Sequence, residues 1–246
     1  MLTAKIHLDY LKKLGIFTSE APPKKFIFTF VGKFYREMIA SYDCEAYQDP
    51  FSTVYRFKKY PDIAFGNFRI GAAVNAMKME QLIYWGVKEF FAIGLAGAID
   101  PHLRPGDLIL AAEAIGEEGV SRYYVERPEK IRAPGASLSI WEENLVGTAY
   151  KKGLILSHDA IYRLTEASLQ KRRKEGVLGV EMETAALYAV GQSKQVPIAT
   201  ALVISDFEGP EGWEIAFRDP KIFVGQFQFL NALLNGQFSA IPVLQT

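Results

Sequence analysis

The chain has 246 residues and sets 28 Lys+Arg against 28 Asp+Glu, a formal net charge of zero. That balance excludes a globally basic nucleic-acid binder. A hydrophobic content of 49% with 13% aromatics excludes an acidic disordered chain and allows a sizeable core.

The single cysteine, Cys44, makes an intrachain disulfide impossible and removes any thiolate zinc site. Residues 1–15 mix Lys5, Asp9, Lys12 and Lys13 with apolar side chains and lack the apolar core and cleavage site of a secretory signal. No window reaches the roughly 18 uncharged apolar residues of a spanning helix. These features point to a cytoplasmic protein with neither a membrane nor a nucleic-acid partner.

Pro22-Pro23-Lys24-Lys25 sets off residues 1–25 as an N-terminal extension from a body of residues 26–246. Phe26-Ile27-Phe28-Thr29-Phe30-Val31 reads as a buried strand ending at Gly32, followed by a helix over 36–41. A strand is expected at 63–68, then an apolar-periodic helix opened by Gly71-Ala72-Ala73 and stopped by Gly86. The apolar run Phe90-Phe91-Ala92-Ile93 ends in Gly94-Leu95-Ala96-Gly97. Strand, helix, strand at this spacing is the βαβ signature of a mostly parallel sheet covered on both faces.

Further along, 107–111 read as a strand, 116–138 as irregular, 139–152 as a helix and 154–156 as a strand. A helix of small and apolar residues is expected over 180–190, and 198–205 form the clearest strand of all. Asp219-Pro220 supplies an N-cap followed by proline at the first helical position of a closing helix over about 221–235. No linker interrupts these elements. The expected fold is one three-layer α/β/α domain around a central mixed, mostly parallel sheet.

Ligands of open α/β sheets collect beyond the carboxyl ends of the strands. Following the expected strands are Gly32-Lys33-Phe34-Tyr35-Arg36-Glu37, Gly94-Leu95-Ala96-Gly97, Ser157-His158-Asp159 and Asp206. Asp206 is a carboxylate at the end of a long buried strand. Glu181-Met182-Glu183 falls in an apolar stretch, and on a helix its two acids point to different faces, so one must enter the protein or a site. Dinucleotide, P-loop, HExxH and GxSxG motifs are absent, and His7, His102 and His158 have no metal-ligand spacing. The run Lys171-Arg172-Arg173-Lys174 lies between Glu166 and Glu175 and reads as a solvated helix face.

Together, Ile93-Gly94-Leu95-Ala96-Gly97-Ala98-Ile99, Pro105-Gly106-Asp107-Leu108, Gly179-Val180-Glu181-Met182-Glu183-Thr184-Ala185-Ala186 and Val203-Ile204-Ser205-Asp206 resemble the nucleoside phosphorylase and nucleosidase superfamily. That superfamily holds hexameric purine nucleoside phosphorylases, uridine phosphorylases, methylthioadenosine/adenosylhomocysteine nucleosidases and AMP nucleosidases. The resemblance implies that Asp206 is the general acid for the departing base and that Glu183 holds the ribose hydroxyls. It implies that Met182 packs on the sugar and that Ser157, Asp159 and Tyr162 belong to the base-binding segment. Ile161, Glu181, Ala96 and Gly97 fall in the same substrate-binding set. Gly32 and Arg36 match the first phosphate-binding loop.

The match departs from the phosphorylases at several positions. Ala92 stands where they carry an arginine, and Leu95 where they carry a hydroxyl residue. Lys33 replaces an acid of the first loop, Ile161 replaces the aromatic that stacks on the base, and no arginine aligns near Asp49. Lys33 and Arg69 are candidates for rebuilding a positive pocket. Glu37 falls where the nucleosidases place a water-activating glutamate.

The expected function is cleavage of the N-glycosidic bond of a nucleoside with a purine-type base by phosphorolysis, giving free base and sugar 1-phosphate. A nucleoside or nucleotide hydrolase, like the methylthioadenosine/adenosylhomocysteine or AMP nucleosidases, is the alternative. A non-catalytic nucleoside-binding relative is a further one. The expected partners are a nucleoside and inorganic phosphate as co-substrate, with no metal and no other cofactor. The resemblance also implies a homo-oligomer, a dimer or a hexamer built as a trimer of dimers, with Phe51 and Tyr55 as candidate contacts.

Overall fold

The computed structural model describes residues 3–15, 21–48, 53–209 and 211–234. Asp49, Phe51 and the expected helix end at Asn235 lie outside them. The described elements begin with α1 (Ala4–Lys13), β1 (Lys25–Thr29), α2 (Gly32–Ser41), β2 (Cys44–Gln48), β3 (Thr53–Phe57), β4 (Tyr60–Asn67), α3 (Ala72–Trp85) and β5 (Glu89–Ala98). They continue with β6 (Leu108–Gly116), β7 (Ile131–Arg132), α4 (Ser137–Asn144), β8 (Lys151–Ser157), α5 (Glu166–Lys174) and β9 (Val177–Glu181). The chain closes with α6 (Thr184–Lys194), β10 (Ile198–Gly209), β11 (Gly212–Ile215) and α7 (Pro220–Leu233).

The eleven strands among the described residues join one mixed sheet. Its centre is parallel: β4, β1, β5 and β10 lie side by side, with Thr29 opposite both Asn67 and Ile93. The pairings of β10 with β6, β6 with β8, β8 with β9 and β9 back to β5 close half of the sheet into a ring. Antiparallel hairpins β2–β3 and β10–β11 extend its two sides.

Helices cover both faces because the strands are apolar on both. One core joins Phe28, Phe90 and Ala92 to Met79 and Leu82 of α3 and to the fully buried stretch from Ala185 to Val190 of α6. The other joins Ile27, Phe91 and Ile93 to Phe34 and Met38 of α2, Trp141 of α4, and Phe227 and Leu230 of α7. Two large polar side chains inside this packing are matched: Trp141 donates its indole N–H to the Phe229 carbonyl at 2.9 Å, and Tyr188 donates its hydroxyl to the Ala111 carbonyl at 2.6 Å.

The helix over Ala72–Trp85 ends at Gly86, whose φ of 131° is open to glycine. Asp219 caps α7 by accepting the Lys221 N–H at 2.9 Å, with Pro220 at the first turn. Three expectations are corrected. The helix expected over 139–152 occupies Ser137–Asn144, and Lys151 and Lys152 already belong to β8; Gly147, at φ 76°, lies in the turn between them. The helix expected over 180–190 is a strand to Glu181 and a helix only from Thr184. The short strand β7 also falls within the stretch read as irregular. In the N-terminal extension, α1 packs against α3 and buries Leu8 completely. No helix among the described residues is long and apolar enough to cross a membrane.

Candidate active site

Asp206 lies within β10 rather than after it, because the strand runs on to Gly209 to pair with β11. The register of β10 against β5 slips between Ile204 and Asp206. Such a bulge re-aims the side chain that follows it. Here Ser205 is the extra residue; its hydroxyl lies 2.6 Å from Asp206 Oδ1 and 3.4 Å from the Ala96 carbonyl. Trp213 of β11 donates its indole N–H to Asp206 Oδ2 at 2.7 Å. Gly97 lies opposite Asp206, and a Cβ there would stand 2.7 Å from Asp206 Oδ2 and 2.8 Å from Trp213 Cζ2. A Cβ there would push one of the pair aside.

Gly97 also lies opposite Val180, so β9 delivers Glu181 and Glu183 two strands away from Asp206, at about 4.8 Å per strand. The strand-to-helix break changes the reading of the two acids. Glu181 is the last residue of β9, Glu183 is the N-cap of α6, and both are buried. Glu181 Oε2 accepts the N–H groups of Glu183 and Thr184, each at 2.9 Å. Its Oε1 accepts the Ser157 hydroxyl, and Ser157 Oγ in turn accepts the Ala185 N–H at 2.9 Å. Glu181 thus caps α6 from below. Glu183 accepts the Gly71 N–H at the start of α3.

These acids cannot ionise freely. Burial, and then the charge of Glu181 beside it, push the Glu183 carboxyl up from 4.5 to about 8. Burial also raises Glu181, against the lowering effect of Ser157 and the two backbone donors. Met182, between them, is half-buried.

The ends of β1 and β4 form a second part of the rim. Gly32 opens α2, and a Cβ on it would lie 3.4 Å from Arg36 Nη1, so the guanidinium folds back over the glycine. Lys33 Nζ stands 5.4 Å from the Phe223 ring centroid. Arg69 takes a positive φ of 72° in the turn before α3, held by its N–H to Asn67 Oδ1 at 3.2 Å and by its carbonyl from Asn75 at 2.9 Å. Arg36, Lys33 and Arg69 are exposed, and none pairs with a carboxylate among the described residues. Glu37 is half-buried on α2. Ala92 is enclosed in the core beside Phe28, where an arginine would bury an unpaired charge, and Leu95 packs half-buried on the opposite face.

The expected site residues are therefore not all alike. Asp206, Gly97, Ala96, Glu181, Glu183 and Ser157 form one connected cluster through strand pairing and hydrogen bonds. Asp159 turns to the neighbouring loop, accepting the Gly119 N–H at 2.9 Å. Ile161 packs on a small cluster with Leu156 and Val180, while Tyr162 is 95% exposed. Gly71, Ser205 and Trp213 hydrogen-bond the candidate acids Glu183 and Asp206 and were not singled out as site residues in the sequence. Gly71 was marked only as a helix start. Trp213 lies in β11, opposite Glu208 of β10, and only that pairing register brings it to Asp206. No group of three or more His, Cys, Asp or Glu side chains suited to a metal occurs among the described residues.

A mixed α/β sheet, half of it closed into a ring, carries Asp206, Glu181 and Glu183, and comparison assigns the chain to a family. Residues 61–223 match the Phosphorylase superfamily, and the chain belongs to that family. It is 32% identical over 152 residues to a DeoD-type purine nucleoside phosphorylase of Shewanella oneidensis, covering 60% of this chain and 64% of that protein. It is 29% identical over 139 residues to a guanosine phosphorylase of Halorubrum lacusprofundi, covering 54% of this chain and 56% of that protein. The chain thus spans less than two thirds of the length of these curated relatives. A uridine phosphorylase structure from Vibrio fischeri ES114, complexed with 6-hydroxy-1-naphthoic acid, superposes with a TM-score of 0.73 at 25% identity, covering 86% of this chain and 90% of that one.

Proposed function

We propose that the protein cleaves the N-glycosidic bond of a nucleoside with a purine-type base by phosphorolysis. Two observations support this reading: an acid at a strand bulge, Asp206, and three exposed cations on the loops after β1 and β4, Arg36, Lys33 and Arg69, that pair with no carboxylate among the described residues. An N-glycosidic bond breaks through an oxocarbenium-like sugar, and the base leaves only when a ring nitrogen is protonated. Asp206 gives that proton. Glu183 holds the ribose hydroxyls with the carboxyl capacity left beyond its Gly71 bond, and Met182 packs on the sugar. Phosphate, neutralised by Arg36 with Lys33 or Arg69, attacks the anomeric carbon. The names of the Shewanella and Halorubrum relatives support a purine-type base.

Hydrolysis is the second reading, and one observation favours it. Ala92 sits in a closed apolar core, so the arginine that phosphorylases place there has no counterpart at this position. Glu37 is the carboxylate that would activate water. Assembly into a homo-oligomer belongs to the same proposal: Ile70, Val74 and Met77 are exposed at helical spacing along the start of α3, next to the Gly71–Glu183 contact. The test is release of free base from a nucleoside panel by the wild type and by Asp206→Asn. Base release that Asp206→Asn abolishes supports the reading; equal release by both sinks it.

A further inference from the structure

We propose that Trp213 is a positioning residue for Asp206 that fixes which carboxyl oxygen carries the transferable proton; the inference rests on the nucleoside-cleavage reading. An indole N–H can only donate. With Trp213 Nε1 at 2.7 Å from Oδ2, that oxygen is held as an acceptor. The proton of the acid is therefore confined to Oδ1. Oδ1 faces the Ser205 hydroxyl at 2.6 Å, and that hydroxyl also reaches the Ala96 carbonyl at 3.4 Å. The Ser205 hydroxyl donates to Oδ1 when Asp206 is a carboxylate, and unlike the indole it can turn towards the Ala96 carbonyl and accept a proton carried on Oδ1.

The transfer balances simply. The Oδ1–H bond breaks as an N–H bond forms on the base, and the glycosidic electron pair stays on the base nitrogen. Asp206 is left as a carboxylate, whose charge the Trp213 N–H meets on Oδ2 and the Ser205 hydroxyl, now turned to donate, meets on Oδ1. Solvent returns the proton afterwards. The indole N–H bond therefore strengthens as the reaction proceeds, the condition for an interaction to accelerate it.

The setting of Trp213 argues against a packing role. It is 41% exposed, and every residue of β11 is exposed. Such an indole has water available for its N–H. The hairpin instead holds the ring in place: Trp213 lies opposite Glu208, which pairs with Arg173 of α5, and Arg104 lies 5.3 Å from the neighbouring Phe207 ring. On the far side, Gly97 gives up its Cβ to the same two side chains.

The test compares two substrates whose leaving groups differ in their need for an acid. A purine ribonucleoside needs its base protonated; 4-nitrophenyl riboside expels a stable phenolate unaided. Trp213→Phe keeps an aromatic ring and removes the donor. Its kcat for the nucleoside is expected to fall about tenfold or more, with its kcat for the nitrophenyl riboside within about twofold of wild type. Asp206→Asn is expected to show the same selectivity in stronger form. Equal rates for Trp213→Phe and wild type, or equal losses on both substrates, would overturn the inference while leaving nucleoside cleavage intact. A wild type that releases neither base nor nitrophenolate removes the functional reading and the inference together.

Discussion

Gly71 and Glu183 are joined by a hydrogen bond across 112 positions of sequence, from the backbone at the start of α3 to the carboxyl at the start of α6. The bond fixes one end of a buried acid whose other neighbour is Glu181. Two acids so placed hold protons over a pH range in which the unfolded chain has lost them.

The sign of the resulting pH dependence follows. Glu183 rises from 4.5 to about 8 on folding, so between these values the native state binds more protons than the unfolded state. Its stability is greatest at the acidic end of that window and falls as pH rises through it. Glu183→Gln keeps an acceptor for Gly71 and removes the charge. Urea unfolding of the unliganded protein is expected to show a flatter pH profile for this variant, with a gain of ~1 kcal/mol or more at pH about 8.5. Parallel profiles for the two proteins would contradict it.

Asp206→Asn keeps the shape of the side chain and its contacts with Ser205 and Trp213 within reach while removing the acid. Turnover of a purine nucleoside is expected to drop about 100-fold or more, the scale of a lost general acid. Thermal unfolding is expected to change little.

Gly97→Ala tests the space shared by Asp206 and Trp213. The added Cβ would meet both side chains at less than 3 Å. Both contacts are with the far ends of side chains, so they can yield. The expected outcome is a folded protein with a stability loss of about 1 kcal/mol and a several-fold loss of kcat. A variant with wild-type kcat would show that the two side chains need not sit as they do.

Ser157→Ala removes the hydroxyl that links Glu181 to the Ala185 N–H. It leaves a buried carboxyl oxygen and a buried N–H unsatisfied. Chemical denaturation is expected to show a loss of about 1–3 kcal/mol.

Arg36→Ala removes the guanidinium folded over Gly32. The KM for phosphate is expected to rise about tenfold, with a smaller change in the KM for nucleoside. Initial rates at varied phosphate measure this directly, and an unchanged phosphate KM would remove Arg36 from the anion site.

Much of the frame was legible because its signals are local. The stop at Gly86 and the Asp219-Pro220 cap carry their meaning within a few residues and structure as expected, while the aromatic run from Phe26 forms a strand that ends at Thr29, short of Gly32, where the helix expected over 36–41 already starts. The stretch from Val177 to Val190 was not legible. It is apolar apart from Glu181, Glu183 and Thr184, and Glu183 caps α6 without a side-chain hydrogen bond to the helix, so no local cap signal marks where strand becomes helix. What decides the matter is non-local: β9 must pair with β8 and β5, and Gly179 must lie so close to Gly97 that a Cβ would stand 2.9 Å from its carbonyl oxygen. Asp206 and Ser157 stand out in the sequence by their place after expected strands, and Glu183 as an acid in an otherwise apolar stretch. Trp213 does not, because its meeting with Asp206 depends on the hairpin register of an exposed strand.

The most direct measurement of the central claim is the sugar product. Incubation with a purine ribonucleoside and inorganic phosphate, followed by ³¹P NMR, is expected to show ribose 1-phosphate appearing in step with free base, and no base without phosphate. Free ribose formed at the same rate with or without phosphate would contradict phosphorolysis.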